Sequence, residues 1–340
     1  VSADPLLSVR DLGITARARR DGAGTPIVRG AEFDLQPGQT LGIVGESGSG
    51  KSSVALAVLG LLPPGLAAEG SVRFLGSELL GRSEPEMRPT RGAGIGAVFQ
   101  NPFRSLNPSI RIGAQIREAV MLDGDDRASA DAEALALLDR VGLPDPQRAA
   151  ASYPHTLSGG MQQRVAIALS IARKPRLLVA DEPTTALDVR VQAQILELFA
   201  RLVCESDMAL ILISHDLGVV ASVADRIAVM YSGRLVESGP AQAVFRQAAH
   251  PYSRALLESA PRLRGPKRVR AALQGTAVPA GMPMDGCRFA TRCRFAEDRC
   301  RTQEPPLGPV DGVTHRAACW VLPWSGRTDH RSPGVAGGEA

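Results

Sequence analysis

The chain has 340 residues and a net charge of +4, enough to bury the core of one large domain plus a small one without covalent staples. Its opening "VSADPLLSVRDL" lacks a basic segment followed by an apolar one, and the longest apolar runs, "LLVA" at 177 and "ALILI" at 209, are of strand length. The expectation is a chain that neither spans a membrane nor is exported. Residues 251–340 carry 14 basic and 8 acidic side chains against 25 and 27 in residues 1–250, a basic tail that suits an anionic partner and a solvated arginine surface about equally.

In chain order, "LLSVRDLGITARA" predicts a strand, "RRDGAGTPIVRG" a polar hairpin loop, and "AEFDLQPGQTLGIVG" two short strands around a Pro-Gly turn. From residue 45 a glycine-rich loop leads into the helix "SSVALAVLGLL" and the strands "GSVRFLG" and "GIGAVFQ". A helical stretch over about 112–173, broken by "GLPDPQ" and "SYPHTLSGG", follows. Then come strand "RLLVAD", helix "DVRVQAQILELFARLVCES", strand "MALILISH", helix "LGVVASVAD" and the strands "RIAVMYSG" and "RLVESG". Apolar strands alternating with amphipathic helices predict an α/β core with a parallel sheet, opened by an antiparallel β layer and carrying an inserted helical subdomain. After "HPYSRALLESAP" regularity fades into Pro, Gly, Arg and Cys, which puts a boundary near 255. Residues from 326 read as a disordered tail.

"GESGSGKS" at 45–52 fits G-x-x-x-x-G-K-S/T between a strand and a helix, the context of a phosphate-binding loop. Gly45, Glu46, Ser47, Gly48, Ser49, Gly50, Lys51, Ser52 and Ser53 form the candidate site, with backbone N–H groups and the positive helix end facing an anion. Lys51 suits the β and γ phosphates and the Ser52 hydroxyl suits Mg2+. Only three of the 39 basic residues are lysines, so a chance match is improbable. The apolar strand "RLLVADEP" ends in Asp181, a candidate for the Mg2+ shell, and Glu182, a candidate for polarising water. In "LSGGMQQR", Ser158, Gly159, Gly160 and Gln162 open another helix, a second phosphate-binding start.

Taken in order, "GESGSGKS", Gln100, "LSGGMQQR", "LLVADEP", "ALD" at 186–188 and "ISHD" at 213–216 resemble the nucleotide-binding subunit of an ABC transporter. They match its Walker A, Q-loop, signature, Walker B, D-loop and H-loop over about residues 5–255. The resemblance implies a P-loop ABC ATPase fold and a head-to-tail dimer, each ATP held by one phosphate loop and by Ser158, Gly159 and Gly160 of the other subunit. It also implies that Gln100 joins the Mg2+ shell, Asp188 couples the two sites and His215 contacts the γ-phosphate. Where the family stacks adenine on an aromatic, this chain has Ala16, with Arg17 or Arg19 as substitutes.

"NPFRSLNPSIRIGAQIREAV" and "HPYSRALLESAP" resemble the ATPase subunits of oligopeptide, dipeptide and nickel importers, whose C-terminal extension corresponds to 256–325. This implies a peripheral position on the cytoplasmic face of the cell membrane. It also implies two membrane-spanning permeases, an identical or different second ATPase subunit and, indirectly, an extracytoplasmic binding protein. The stretch 101–110 would receive a permease. Nickel is the alternative cargo; an exporter ATPase and a soluble ABC ATPase acting on nucleic acid are the rival classes.

Of five cysteines, Cys204 reads as a core or boundary residue of its helix, and Cys287, Cys293, Cys300 and Cys319 form C-x5-C-x6-C-x18-C. A cytosolic setting disfavours disulfides. Structural zinc usually takes close C-x2–4-C pairs, whereas an iron–sulfur cluster accepts wider spacings. The expectation is a 4Fe-4S cluster, with Zn2+ as alternative and His315 as a possible replacement ligand. Arginines interleaved with the cysteines balance the negative charge of either site.

Overall fold

The computed structural model describes residues 4–17, 24–122, 124, 126–185, 187–259, 275–311 and 314–322. Arg19, Ala186 and the tail from 326 lie outside them.

Two sheets organise the chain. The first holds β1 (Leu7–Ala16), β2 (Thr25–Leu35), β4 (Leu66–Phe74) and β5 (Ser77–Glu78), antiparallel in the order β2-β1-β4-β5. The sequence reading ended the hairpin loop after Gly30, but β2 begins at Thr25, its Thr25 and Val28 facing Ala16 and Ile14 of β1. The β-branched run Thr25, Ile27 and Val28 suits a pleated surface better than a loop.

The second sheet contains β3 (Thr40–Val44), β6 (Ile95–Val98), β7 (Leu177–Asp181), β8 (Ala209–Ser214), β9 (Arg226–Tyr231), β10 (Arg234–Pro240), β11 (Gly308–Asp311) and β12 (His315–Ala317). Their order is β11-β12-β10-β9-β3-β8-β7-β6. The run from β9 to β6 is parallel, as the alternation of strands and helices predicts. Successive side chains of its strands face opposite cores. Leu177, Val179, Ile211 and Ile213 pack towards the first sheet with Val54, Ala55 and Val58 of the helix Lys51–Val58. Leu178, Ala180, Leu210 and Leu212 pack on the other side with the long helices.

Among the described residues, the regular elements between Pro102 and Ile171 are all helical. Ile112, Ile116, Leu137, Leu138, Val165 and Ile167 join them to the second core. The amphipathic helix Val189–Ser206 buries Ile195, Leu196, Leu198, Phe199 and Leu202. Cys204 falls off that stripe and is exposed, correcting the core or boundary reading.

The C-terminal part is not a separate layer. Helix Pro251–Ser259 runs through the expected boundary near 255, and β12 extends the main sheet by pairing Ala317 and Arg316 with Glu237 and Ser238 of β10. The sequence does not reveal this, because "HRA" is too short to show an alternation. Among the described residues no helix is long and apolar enough to cross a membrane.

Candidate active site

Four adjacent parallel strands deliver the site at their C-terminal ends, the edge where open α/β sheets bind ligands. The phosphate loop follows β3, Ser214 and His215 end β8, Asp181 and Glu182 end β7, and Gln100 lies just past β6. Ser47, Gly48, Lys51, Ser52, Gln100 and Glu182 line one cleft.

The loop's glycines are sterically required. A Cβ on Gly45 would lie 2.1 Å from the Met230 carbonyl oxygen. Gly50 caps the helix Lys51–Val58 at φ 99°, a left-handed conformation. Lys51 curls back, its Nζ donating to the carbonyls of Gly45 at 2.8 Å and Glu46 at 3.0 Å. Burial lowers its pKa, against the opposing charges of Glu182, Asp181 and Glu46. The Ser49 hydroxyl is buried without a partner in the structure.

Ser52 Oγ donates to Asp181 Oδ1 at 3.1 Å. Burial raises the pKa of Asp181, the Ser52 hydrogen bond opposes the rise and the Glu182 charge adds to it. These are surroundings that a divalent cation would relieve. Glu182 adopts φ 47°, a strained choice for a residue with a side chain. Its N–H donates to the Ile213 carbonyl at 3.0 Å, and its carboxylate accepts from Thr185 Oγ1 at 2.9 Å. His215 Nδ1 stands 3.5 Å from the same carboxylate oxygen.

The signature segment lies elsewhere. Ser158 caps the helix Gly159–Ile171, with Oγ accepting from the Met161 N–H at 3.4 Å. Ser158 and Gly159 are exposed, and neither they nor Gly160 line the cleft. Gln162 corrects the sequence reading. It is 2% exposed, and its Nε2 donates to the carbonyls of Pro154 and Leu157, both at 2.9 Å. One turn into the helix, it faces inward and locks the preceding loop. Asp188 accepts the N–H groups of Arg190 and Val191, both at 3.0 Å, as cap of its helix.

Ala16 ends β1 opposite Thr25 and Leu66. Neither it nor Arg17, whose N–H donates to the Gly65 carbonyl at 2.8 Å, lines the cleft. Ile27 of β2 does. Sequence reasoning missed it because the stretch reads as a loop.

Cys287, Cys293, Cys300 and Cys319 line a single cavity with Phe289, Phe295, Trp320 and His250. The Leu322 N–H donates to Cys319 Sγ at 3.4 Å. Burial pushes the Cys287 thiol up to about 11 and raises those of Cys293 and Cys319. Among the described residues no three His, Cys, Asp or Glu side chains are close enough to hold one metal ion. His315 is not part of this cavity: its Nε2 pairs with Glu237 Oε1 at 2.7 Å. A short side chain on a three-residue strand is directed by the sheet, and here the sheet directs it at β10.

Two family models match, the ABC transporter over residues 28–185 and the oligopeptide/dipeptide transporter C-terminal region over 236–300. The oligopeptide transport ATP-binding protein OppD of Bacillus subtilis is 44% identical over 321 residues, covering 93% of this chain and 89% of that protein. The chain belongs to the ABC transporter ATPases, in the oligopeptide/dipeptide group. The dipeptide transport ATP-binding protein DppD of the same organism is 42% identical, covering 94% of this chain and 95% of that protein. A dimeric ATP-binding cassette in a post-hydrolysis state with ADP and Pi superposes with a TM-score of 0.62 at 25% identity, covering 69% of this chain and 98% of that one. The chain is therefore an ATP-hydrolysing enzyme subunit. This removes the soluble nucleic-acid ATPase as a rival, and the nickel alternative gains no support from relatives that transport peptides.

Proposed function

We propose that this subunit energises peptide import by binding ATP·Mg2+ in the cleft and hydrolysing it between two ATPase subunits. The observation carrying this is the convergence of Lys51, Ser52, Gln100 and Glu182 on one cleft, with Asp181 hydrogen-bonded to Ser52. Ser52, Gln100 and Asp181 would hold Mg2+, which supplies charge to the β- and γ-phosphate oxygens. Glu182 accepts a proton from the water whose oxygen bonds the γ-phosphorus as the bond to ADP breaks. Thr185 fixes the carboxylate, and His215 stands beside it, available to the γ-phosphate. Ser158 and Gly159 are exposed, and with half-buried Gly160 they lie away from their own cleft, which supports their serving the ATP of a second subunit. Asp188 would link the two sites. Ile27 offers an apolar surface for adenine where the chain lacks an aromatic.

Exposed Phe103 and Ile110, at 54% and 36%, support the stretch 101–110 as the permease contact, with the subunit peripheral on the cytoplasmic face of the membrane. The names of the relatives favour oligopeptides or dipeptides as cargo, delivered by a binding protein. Pull-down from solubilised membranes should recover two multi-span proteins; recovery of nucleic acid or ribosomes in their place would overturn the reading.

We also infer a 4Fe-4S cluster at Cys287, Cys293, Cys300 and Cys319. Four thiols share one cavity, and the Leu322 N–H donated to Cys319 Sγ at 3.4 Å opposes the burial that raises that thiol. Structural zinc usually takes close C-x2–4-C pairs, which this chain lacks. A cluster with irons at separate corners accepts the wider C-x5-C-x6-C-x18-C spacing. Anaerobically purified protein should be brown and lose its iron on Cys300→Ser; colourless protein with stoichiometric zinc would overturn the assignment.

A further inference from the structure

Glu46, the second residue of the phosphate loop, is held from outside the loop. Its N–H donates to the Tyr252 hydroxyl at 2.8 Å. Its carbonyl accepts Lys51 Nζ at 3.0 Å, and its carboxylate takes both terminal nitrogens of Arg292, at 2.9 and 3.0 Å. Tyr252 and Arg292 lie 206 and 246 residues further along the chain.

Both partners are themselves fixed. The Arg292 side chain is 4% exposed. Its guanidinium lies 5.8 Å from the ring centre of Tyr231 and 5.9 Å from that of Phe289, with a hydrogen bond to the Tyr231 hydroxyl at 3.3 Å. The Tyr252 ring sits 4.6 Å from Tyr231 and 5.5 Å from Phe289. The Tyr252 N–H donates to His250 Nδ1 at 3.0 Å, an acceptor kept neutral because burial lowers the His250 pKa to about 4. The His250 N–H is in turn taken by buried Glu237 at 2.9 Å.

A carboxylate in a phosphate loop opposes the anion that the loop is built to receive. A two-pronged guanidinium cancels its charge and fixes its direction. We propose that Arg292 and Tyr252 are positioning residues of the nucleotide site, acting through Glu46 without touching ATP. They hold the start of the phosphate loop, and with it Lys51, and neutralise a carboxylate beside the triphosphate. The inference rests on the ATPase reading and adds a function for the extension: it presents Arg292, next to Cys293, to the catalytic domain.

The test uses the full chain, with steady-state ATP hydrolysis and binding of a fluorescent ATP analogue. Arg292→Ala should raise KM for ATP about tenfold with kcat changed far less. Arg292→Lys, which keeps the charge but loses the fork, should recover part of the loss. Tyr252→Phe should raise KM about threefold. Adding Glu46→Gln to Arg292→Ala should lower KM severalfold below the single variant, because the uncancelled carboxylate is gone; a purely structural defect would not respond in this way. Unchanged KM and nucleotide affinity in Arg292→Ala would overturn the proposal. So would a double variant no better than the single one, or a loss that follows only the folded fraction seen by circular dichroism. Hydrolysis insensitive to Glu182→Gln would remove Glu182 from its role in the proposed site, while nucleotide affinity of the Arg292 variants would still decide this inference.

Discussion

In the cleft, the contiguous segment 45–53, a loop and the first turn of the helix Lys51–Val58, supplies most of the polar groups, and neighbouring strand ends add Gln100 and Glu182, with Asp181 hydrogen-bonded to Ser52. The cysteine cavity is assembled differently. Cys287 and Cys293 flank the short 3-10 turn Ala290–Arg292, Cys300 lies in the helix Asp298–Thr302, and Cys319 follows β12. The cleft lies open at the strand ends, whereas the cavity is lined by aromatic rings and four thiols, of which Cys300 is buried and the others half-buried. The difference separates two ways of building a site: a contiguous segment beside the strand ends of one sheet, and short segments far apart in the chain that the fold brings together. Glu46 joins the two regions through Tyr252 and Arg292.

Substitutions can break this division at graded cost. The largest effect is expected from Glu182→Gln, which should lower kcat on the order of 10³-fold while ATP still binds, read by phosphate release and nucleotide trapping. Retained turnover would remove Glu182 from its role.

Glu237→Ala comes next and acts on the structural side. This fully buried carboxylate accepts the N–H groups of Ala249 and His250 and pairs with His315. Losing it should destabilise the protein by about 3 kcal/mol, seen as a lower denaturation midpoint at unchanged slope. An unshifted midpoint would mean that these N–H groups find water instead.

Gln162→Ala should show the smallest effect, about 1 kcal/mol of stability and a severalfold loss of ATPase activity, since it frees the Pro154 and Leu157 carbonyls and loosens Ser158. Full activity would show that the signature loop holds its shape without this lock.

The cleft was largely legible in the sequence, because phosphate binding needs consecutive N–H groups, which leave a contiguous trace such as "GESGSGKS". Strand-end acids are nearly as visible, since "LLVADE" carries its own apolar strand. What stayed hidden depends on long-range contacts. The burial of Gln162 follows from which face of its helix meets the core, and "LSGGMQQR" does not encode that direction. Ile27 lines the cleft because β2 starts earlier than its loop-like flank suggests. The pairing of β12 with β10, His315 with Glu237 and Arg292 with Glu46 joins residues at least 78 positions apart, and spacing cannot announce such contacts. The cysteine spacing suggested a common site, but only the fold brings the four side chains to one cavity.

The most direct measurement of the chain's role is ATP hydrolysis in proteoliposomes holding the full chain with its permeases and second ATPase subunit, with peptide and binding protein supplied outside. Hydrolysis should rise with peptide, drive its accumulation and collapse in Glu182→Gln. Hydrolysis indifferent to peptide and permease, with no peptide accumulated, would contradict the assignment as the motor of a peptide importer.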